Sequence, residues 1–212
     1  MDPVITPQLV KEAMTYAEYR KLIDELLDQG LTTGPNQSET MVNYGRLNQK
    51  RMKKWEKIAK ITPELQERML DIQRPVTWLV LTEGWCGDAA QNLPFIQKLA
   101  ELNPLITLKL ILRDENHEVM DQFLTDGGRS IPKLIALDSA TLSVLGTWGP
   151  RPAPMQKLVM ENKVSKAKNY SELNEEMHLW YARDRGITFQ NEILAILGAW
   201  NKKQQSLPVQ AV

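Results

Sequence analysis

The chain has 212 residues and a formal net charge of zero, with 26 Lys+Arg set against 26 Asp+Glu. That balance gives no long-range pull toward polyanions, which argues against a dedicated nucleic-acid binder. With 42% apolar and 25% charged residues, the composition is that of a globular protein, not a disordered, collagen-like or fibrous one, and no stretch approaches the roughly 18 apolar residues of a membrane span.

The opening MDPVITPQLV has neither the basic segment nor the apolar run of a secretory signal, so a cytoplasmic protein without membrane contact is expected. Tyr16, Tyr19, Leu22, Ile23, Leu26 and Leu27 recur at helical steps, and Gly30 ends the pattern. After a polar loop over 31–40, a second helix is predicted with Met41, Tyr44, Leu47, Trp55 and Ile58 on its packed side. Its cations, from Arg46 through Lys60, form the solvated side; an acidic partner or nucleic acid is the minority alternative. Thr62 and Pro63 open a third helix toward Arg74.

From Pro75 the texture changes. Val76 to Leu81 is a buried strand, and a helix follows from Gly87 to Leu102 with Leu93, Ile96 and Ala100 inward and Pro94 bending it. Ile106 to Leu112 is a second strand, and Asn116 caps a short helix carrying Val119, Met120, Phe123 and Leu124. Lys133–Leu137 and Ser143–Trp148 form an antiparallel hairpin, and Met155–Lys163 is helical. Two last helices are predicted, capped by Ser171 and Thr188, with Trp180, Tyr181 and Trp200 packing on the sheet; residues from Ser206 onward fray. The chain is thus read as α/β in one compact domain. A helical extension (1–74) and C-terminal helices (164–212) flank a core (75–163) around a mixed sheet of about four strands.

Cys86 is the sole cysteine, which forbids an internal disulfide. His117 and His178 have no companion at ligand spacing, so neither a metal nor another cofactor is expected. The run Trp85-Cys86-Gly87-Asp88-Ala89, at a strand-to-helix joint, resembles the active-site stretch of the thioredoxin superfamily, Trp-Cys-Gly-Pro-Cys. Pro94 matches the proline of that family's helix, and Arg129 to Leu134 resembles its cis-proline loop. The resemblance spans about residues 75–163 and implies a thioredoxin-like three-layer fold.

Two departures bear on chemistry. Ala89 stands where the family has its second cysteine, and Val80 where it often has a buried acid. Without a resolving thiol, any exchange at Cys86 needs an external one. A thiol at a helix start is favoured as thiolate by the backbone amides of Gly87 and Asp88, whereas the Asp88 carboxylate opposes it, so an exposed thiol with a modestly lowered pKa is expected. The alternative is a cysteine that merely fills space.

By the resemblance, Trp85, Ile131 and Pro132 present the substrate, with Ile131 as an exposed strand-like edge. Trp85 reads equally as an aromatic closing the core. Arg151 or Arg129 offers a cation to Cys86 or to a small thiol's carboxylate, or else faces solvent. Two functions stay open: one-thiol exchange with protein or low-molecular-weight thiols and disulfides, or a redox-inactive binding or adaptor protein on the same fold.

Overall fold

The structure is a computed structural model describing residues 4–208. Its first element is not visible in the sequence pattern: α1 (Pro7–Glu12), capped by Thr6, whose hydroxyl accepts the Leu9 amide at 3.1 Å. Six residues are too few to show an apolar period. Among the described residues four helices therefore precede the first strand, where the sequence pattern predicts three. In α2 (Tyr16–Asp28), Thr15 and Glu18 form a reciprocal cap and Tyr19, Ile23 and Leu27 are buried. Gly30, just past its end, has the positive φ (73°) that suits glycine.

The long helix α3 (Glu39–Ile58) turns a different face inward than its apolar residues predict. Val42, Gly45, Asn48, Met52 and Trp55 are buried, whereas Leu47 and Ile58 are exposed. Gly45 is the reason: a Cβ there would stand 3.0 Å from Leu27 and 3.1 Å from Thr32, so the missing side chain lets α3 approach α2 closely. Asn48 is tolerated inside because its amide donates to the Gly84 carbonyl at 3.1 Å. The cations of the run are exposed except Arg51, which is half-buried. Pro63 begins α4 (Pro63–Met69), which buries Leu65 and Met69.

The apolar run after Pro75 forms β1 (Val76–Thr82), buried along its whole length as a central strand covered on both faces must be. It pairs in parallel with β2 (Ile106–Leu112). That geometry demands a crossover, which is α5 (Gly87–Glu101), running through Pro94 as one element with Leu93, Ile96 and Leu99 fully buried. After β2 comes α6 (His117–Asp121), shorter than expected, with Val119 and Met120 buried but Leu124 exposed beyond its end. β3 (Lys133–Asp138) and β4 (Val144–Trp148) form the antiparallel hairpin, and the sheet order is β2-β1-β3-β4. The mixed four-strand α/β architecture is therefore as the sequence predicts.

Three helices follow β4 among the described residues: α7 (Ala153–Ser165), α8 (Tyr170–Asp184) and α9 (Ile187–Gln205). The caps differ from the expected ones. Asn169, not Ser171, starts α8, because it completes a reciprocal cap with Glu172; Gly186, not Thr188, precedes α9, and the Thr188 hydroxyl is drawn back to Asp184. Trp200 on α9 packs directly on β4, since a Cβ at Gly146 would lie 1.9 Å from its indole nitrogen. Gln204 ties the same helix to the Pro75 carbonyl and to Asp138, each at 2.9 Å. Trp180 is only half-buried, and Tyr181 packs against α5 instead of the sheet. Of the expected frayed tail, Ser206 still closes α9 through bonds to Lys202 and Lys203, and 209–212 lie outside the described residues. Among the described residues no helix is long and apolar enough to cross a membrane.

Candidate functional site

The joint between β1 and α5 places Cys86 as the N-cap of α5. Its Sγ accepts the Ala89 amide at 3.4 Å, the capping bond a serine would ordinarily make, and its S–H donates to the Ile131 carbonyl at 3.3 Å. The Ile131–Pro132 peptide is cis, as is Gly149–Pro150. Gly149, at φ 110°, lies so close that a Cβ would be 2.2 Å from the Pro132 carbonyl oxygen. The loop entering β3 and the loop leaving β4 thus lie side by side at the open end of the hairpin, and the first of them meets the sulfur.

Neither Cys86 nor Ile131 is exposed as expected. Cys86 is 7% and Ile131 4% accessible, Pro132 is buried, and the Ile131 carbonyl is already taken by the thiol. The expected open strand edge is therefore absent from this arrangement. Cys86 instead lies in the wall of a cavity of about 290 Å³, bordered by Trp85, Gly87, Asp88 and Ile131 and closed over by Tyr170, Met177 and His178 of α8. The cover is polar and cationic as well as apolar, because Arg113, Arg129 and Arg151 also line it against the single carboxylate of Asp88.

Asp88 fastens the cover. Its Oδ2 accepts from Arg151 Nε and Nη2 at 2.8 and 2.7 Å, and its Oδ1 accepts the Tyr181 hydroxyl at 2.6 Å. Asn92, one turn on, reaches the Asp88 carbonyl at 2.8 Å and the Tyr181 oxygen at 3.2 Å. The start of α5, the loop after β4 and α8 are thereby held in one buried network, the setting in which hydrogen bonds matter most. The arginines are consequently less free than the sequence suggests. Arg151 serves Asp88, Arg129 is bidentate to Asp121, and Arg113 pairs with Asp114 while stacking over Trp85 at 4.9 Å. Trp85 itself is half-buried at the cavity edge.

Burial pushes the Cys86 thiol up to about 12, and the Asp88 carboxylate pushes the same way. The Ala89 amide and the Arg151 guanidinium oppose this without cancelling it. The expected net lowering is thus reversed, since desolvation by burial outweighs the helix-start amides. Glu83, three residues before the cysteine, is fully buried with its pKa raised by desolvation. Its Oε1 accepts the Asp114 amide at 2.9 Å while Oε2 has no hydrogen-bond partner among the described residues.

In the sequence His178 has no companion at ligand spacing and Arg51 belongs to a run of solvated cations. Both stand at the site: a Cβ on Gly87 would meet His178 Cε1 at 3.0 Å, His178 Nε2 at 3.3 Å and Arg51 Nη1 at 3.9 Å. The one available signal was Gln91 and Asn92, polar residues on a helix that is otherwise core, which announce buried polar partners from elsewhere in the chain.

A buried mixed sheet with its crossover helix starting at a cysteine, beside a cis-proline loop, defines a thioredoxin-like α/β protein. A family model described as Thioredoxin matches residues 34–185, more than half of the chain, and the chain belongs to that family. Among solved structures, it is similar to a Pseudomonas aeruginosa protein of unknown function, with 19% identity over 93% of this chain and 95% of that one and a TM-score of 0.49. It is also similar to an HIV epitope-scaffold, with 20% identity over 92% of this chain and 100% of that one and a TM-score of 0.47. No curated protein matches it.

Proposed function

We propose that this thioredoxin-family protein performs one-thiol disulfide exchange through Cys86. The carrying observation is the position of Sγ, which takes the Ala89 amide at the start of α5 and borders a cavity large enough to admit a reactant. In the first step the Cys86 sulfur, after losing its proton, attacks one sulfur of a disulfide. A mixed disulfide with Cys86 forms, the substrate S–S bond breaks, and the leaving thiolate takes up a proton; Cys86 is oxidised and the departing half reduced. With Ala89 where a second thiol would be needed, an external thiol attacks the mixed disulfide, restores Cys86 and is itself oxidised.

The covered thiol makes this a slow exchanger. With a pKa near 12, about one thiol in 10⁵ is ionised at pH 7, so the rate climbs about tenfold per pH unit through neutrality. Turnover of a small disulfide in the presence of an added thiol, rising in that way and lost in Cys86→Ser, is the expected result. Equal rates in the two proteins across that range overturn the reading. The redox-inactive binding alternative is favoured by the same raised thiol pKa and by Ala89. It predicts partner capture that is unchanged in Cys86→Ala.

A further inference from the structure

Along its outer side, α8 carries three exposed residues in line. The helix turns Met177 and Tyr181 inward, both buried, and leaves Glu175, Leu179 and Arg183 to solvent. Steps of four residues place these three one above another on a single ridge. Leu179, half of whose surface is in water, stands at the centre of that ridge. The three border a groove of about 550 Å³ that Met155 and the half-buried Trp180 also line.

The other acids of the groove are engaged: Glu176 pairs with Lys168, and Glu172 accepts the Asn169 amide at 2.9 Å. Glu175 and Arg183 have no ion-pair partner among the described residues. Eight residues, about 12 Å along the axis, separate them, which is too far for them to satisfy each other. An acid four residues before an exposed leucine and a base four residues after it make the ridge complementary to itself when reversed. Laid antiparallel on a second α8, Leu179 meets Leu179 on a twofold axis, and Glu175 of each copy faces Arg183 of the other. A parallel arrangement would set like charges together. The contact is therefore isologous and closes at two copies.

We propose that the outer ridge of α8 is a self-recognition surface on which a second copy of this chain packs its own α8, antiparallel, about an axis at Leu179. The opposite side of the helix closes the Cys86 cavity, so this surface is distinct from the thiol site and does not depend on exchange there. A 15-residue helix, about 22 Å long and about 10 Å across, offers each copy well under the about 800 Å² of a standard interface. The pairing is accordingly a transient one, with a Kd of about 0.1 mM.

Sedimentation velocity of the full chain from about 10 µM to about 1 mM, spanning that Kd, tests this. The weight-average sedimentation coefficient is expected to rise from monomer toward dimer. Glu175→Arg alone and Arg183→Glu alone each turn two attractions into two repulsions, and each is expected to weaken association by about tenfold or more. An equimolar mixture of the two variants sets two arginines against two glutamates and is expected to associate again, as is the chain carrying both substitutions. Both positions are exposed, so folding is not at stake. A parent chain that stays monomeric throughout overturns the proposal. So do single variants that associate as the parent does, which would place the contact elsewhere, and a mixture that fails to recover.

Discussion

Replacing Asp88 by asparagine should make the protein less stable and its cysteine more reactive at once. The Asp88 and Arg151 side chains are 8% and 13% accessible, and the carboxylate accepts two bonds from the guanidinium and one from Tyr181. Breaking a buried pair from one side strands the other charge and costs about 3–5 kcal/mol. Arg151 also donates to Gln156 at 2.7 Å and keeps some solvent, which places the expected loss near 3 kcal/mol, the low end of that range. For a chain of this size that corresponds to a fall in Tm of about 6–12 °C by circular dichroism.

The same substitution removes a like charge from beside the thiol and leaves Arg151 nearby, so about tenfold more thiolate is expected at a given pH. Iodoacetamide labelling of Cys86 should speed up accordingly at temperatures where the variant stays folded. Arg151→Met added to Asp88→Asn should recover part of the stability by removing the stranded charge. A Tm within about 2 °C of the parent, or slower labelling, refutes both the clamp and the electrostatic reading of the thiol.

Alanine at Gly146 drives a Cβ to within 1.9 Å of the Trp200 indole; overpacking of this kind is expected to cost about 3 kcal/mol in urea unfolding, with a compensating gain from a smaller residue at 200. At Gly87 the added methyl instead meets His178 and Arg51. Gly87→Ala is therefore expected to cost about 1 kcal/mol in urea unfolding, because the added methyl presses on the His178 ring at 3.0 Å, and an unchanged midpoint contradicts that packing. His178 has a folded pKa lowered from 6.5 to about 4, so between those values the unfolded chain binds the extra proton and stability falls as the pH falls through that window. Chemical unfolding at pH 7 and pH 4.5 should therefore show a smaller acid loss in His178→Gln than in the parent, and equal losses contradict a histidine buried in its neutral form.

Local patterns made much of this architecture readable. The strand after Pro75, the helix-start cysteine and the short connection between β3 and β4 each declare themselves within a few residues, because strand burial and turn chemistry are short-range. The cover over the cysteine does not. α8 is separated from Cys86 by more than eighty residues of chain, and its docking depends on Asp88, Asn92 and Tyr181 satisfying one another. Those residues would each read as surface or packing residues alone. Helix α3 misled for a similar reason, since its inward face is set by the small Gly45 and a satisfied Asn48 and not by its most apolar side chains. Consequently the sequence located the thiol but not its environment, and the sign of its pKa change followed the environment.

Whether Cys86 exchanges is decided by intact-protein mass spectrometry after incubation with a small disulfide, before and after a second small thiol is added, with urea-unfolded protein as the positive control. A single adduct on folded protein, absent in Cys86→Ser and released by the thiol, is the expected outcome. Folded protein that stays unmodified while its unfolded form reacts to completion contradicts one-thiol exchange and leaves this thioredoxin-family chain as a binding protein.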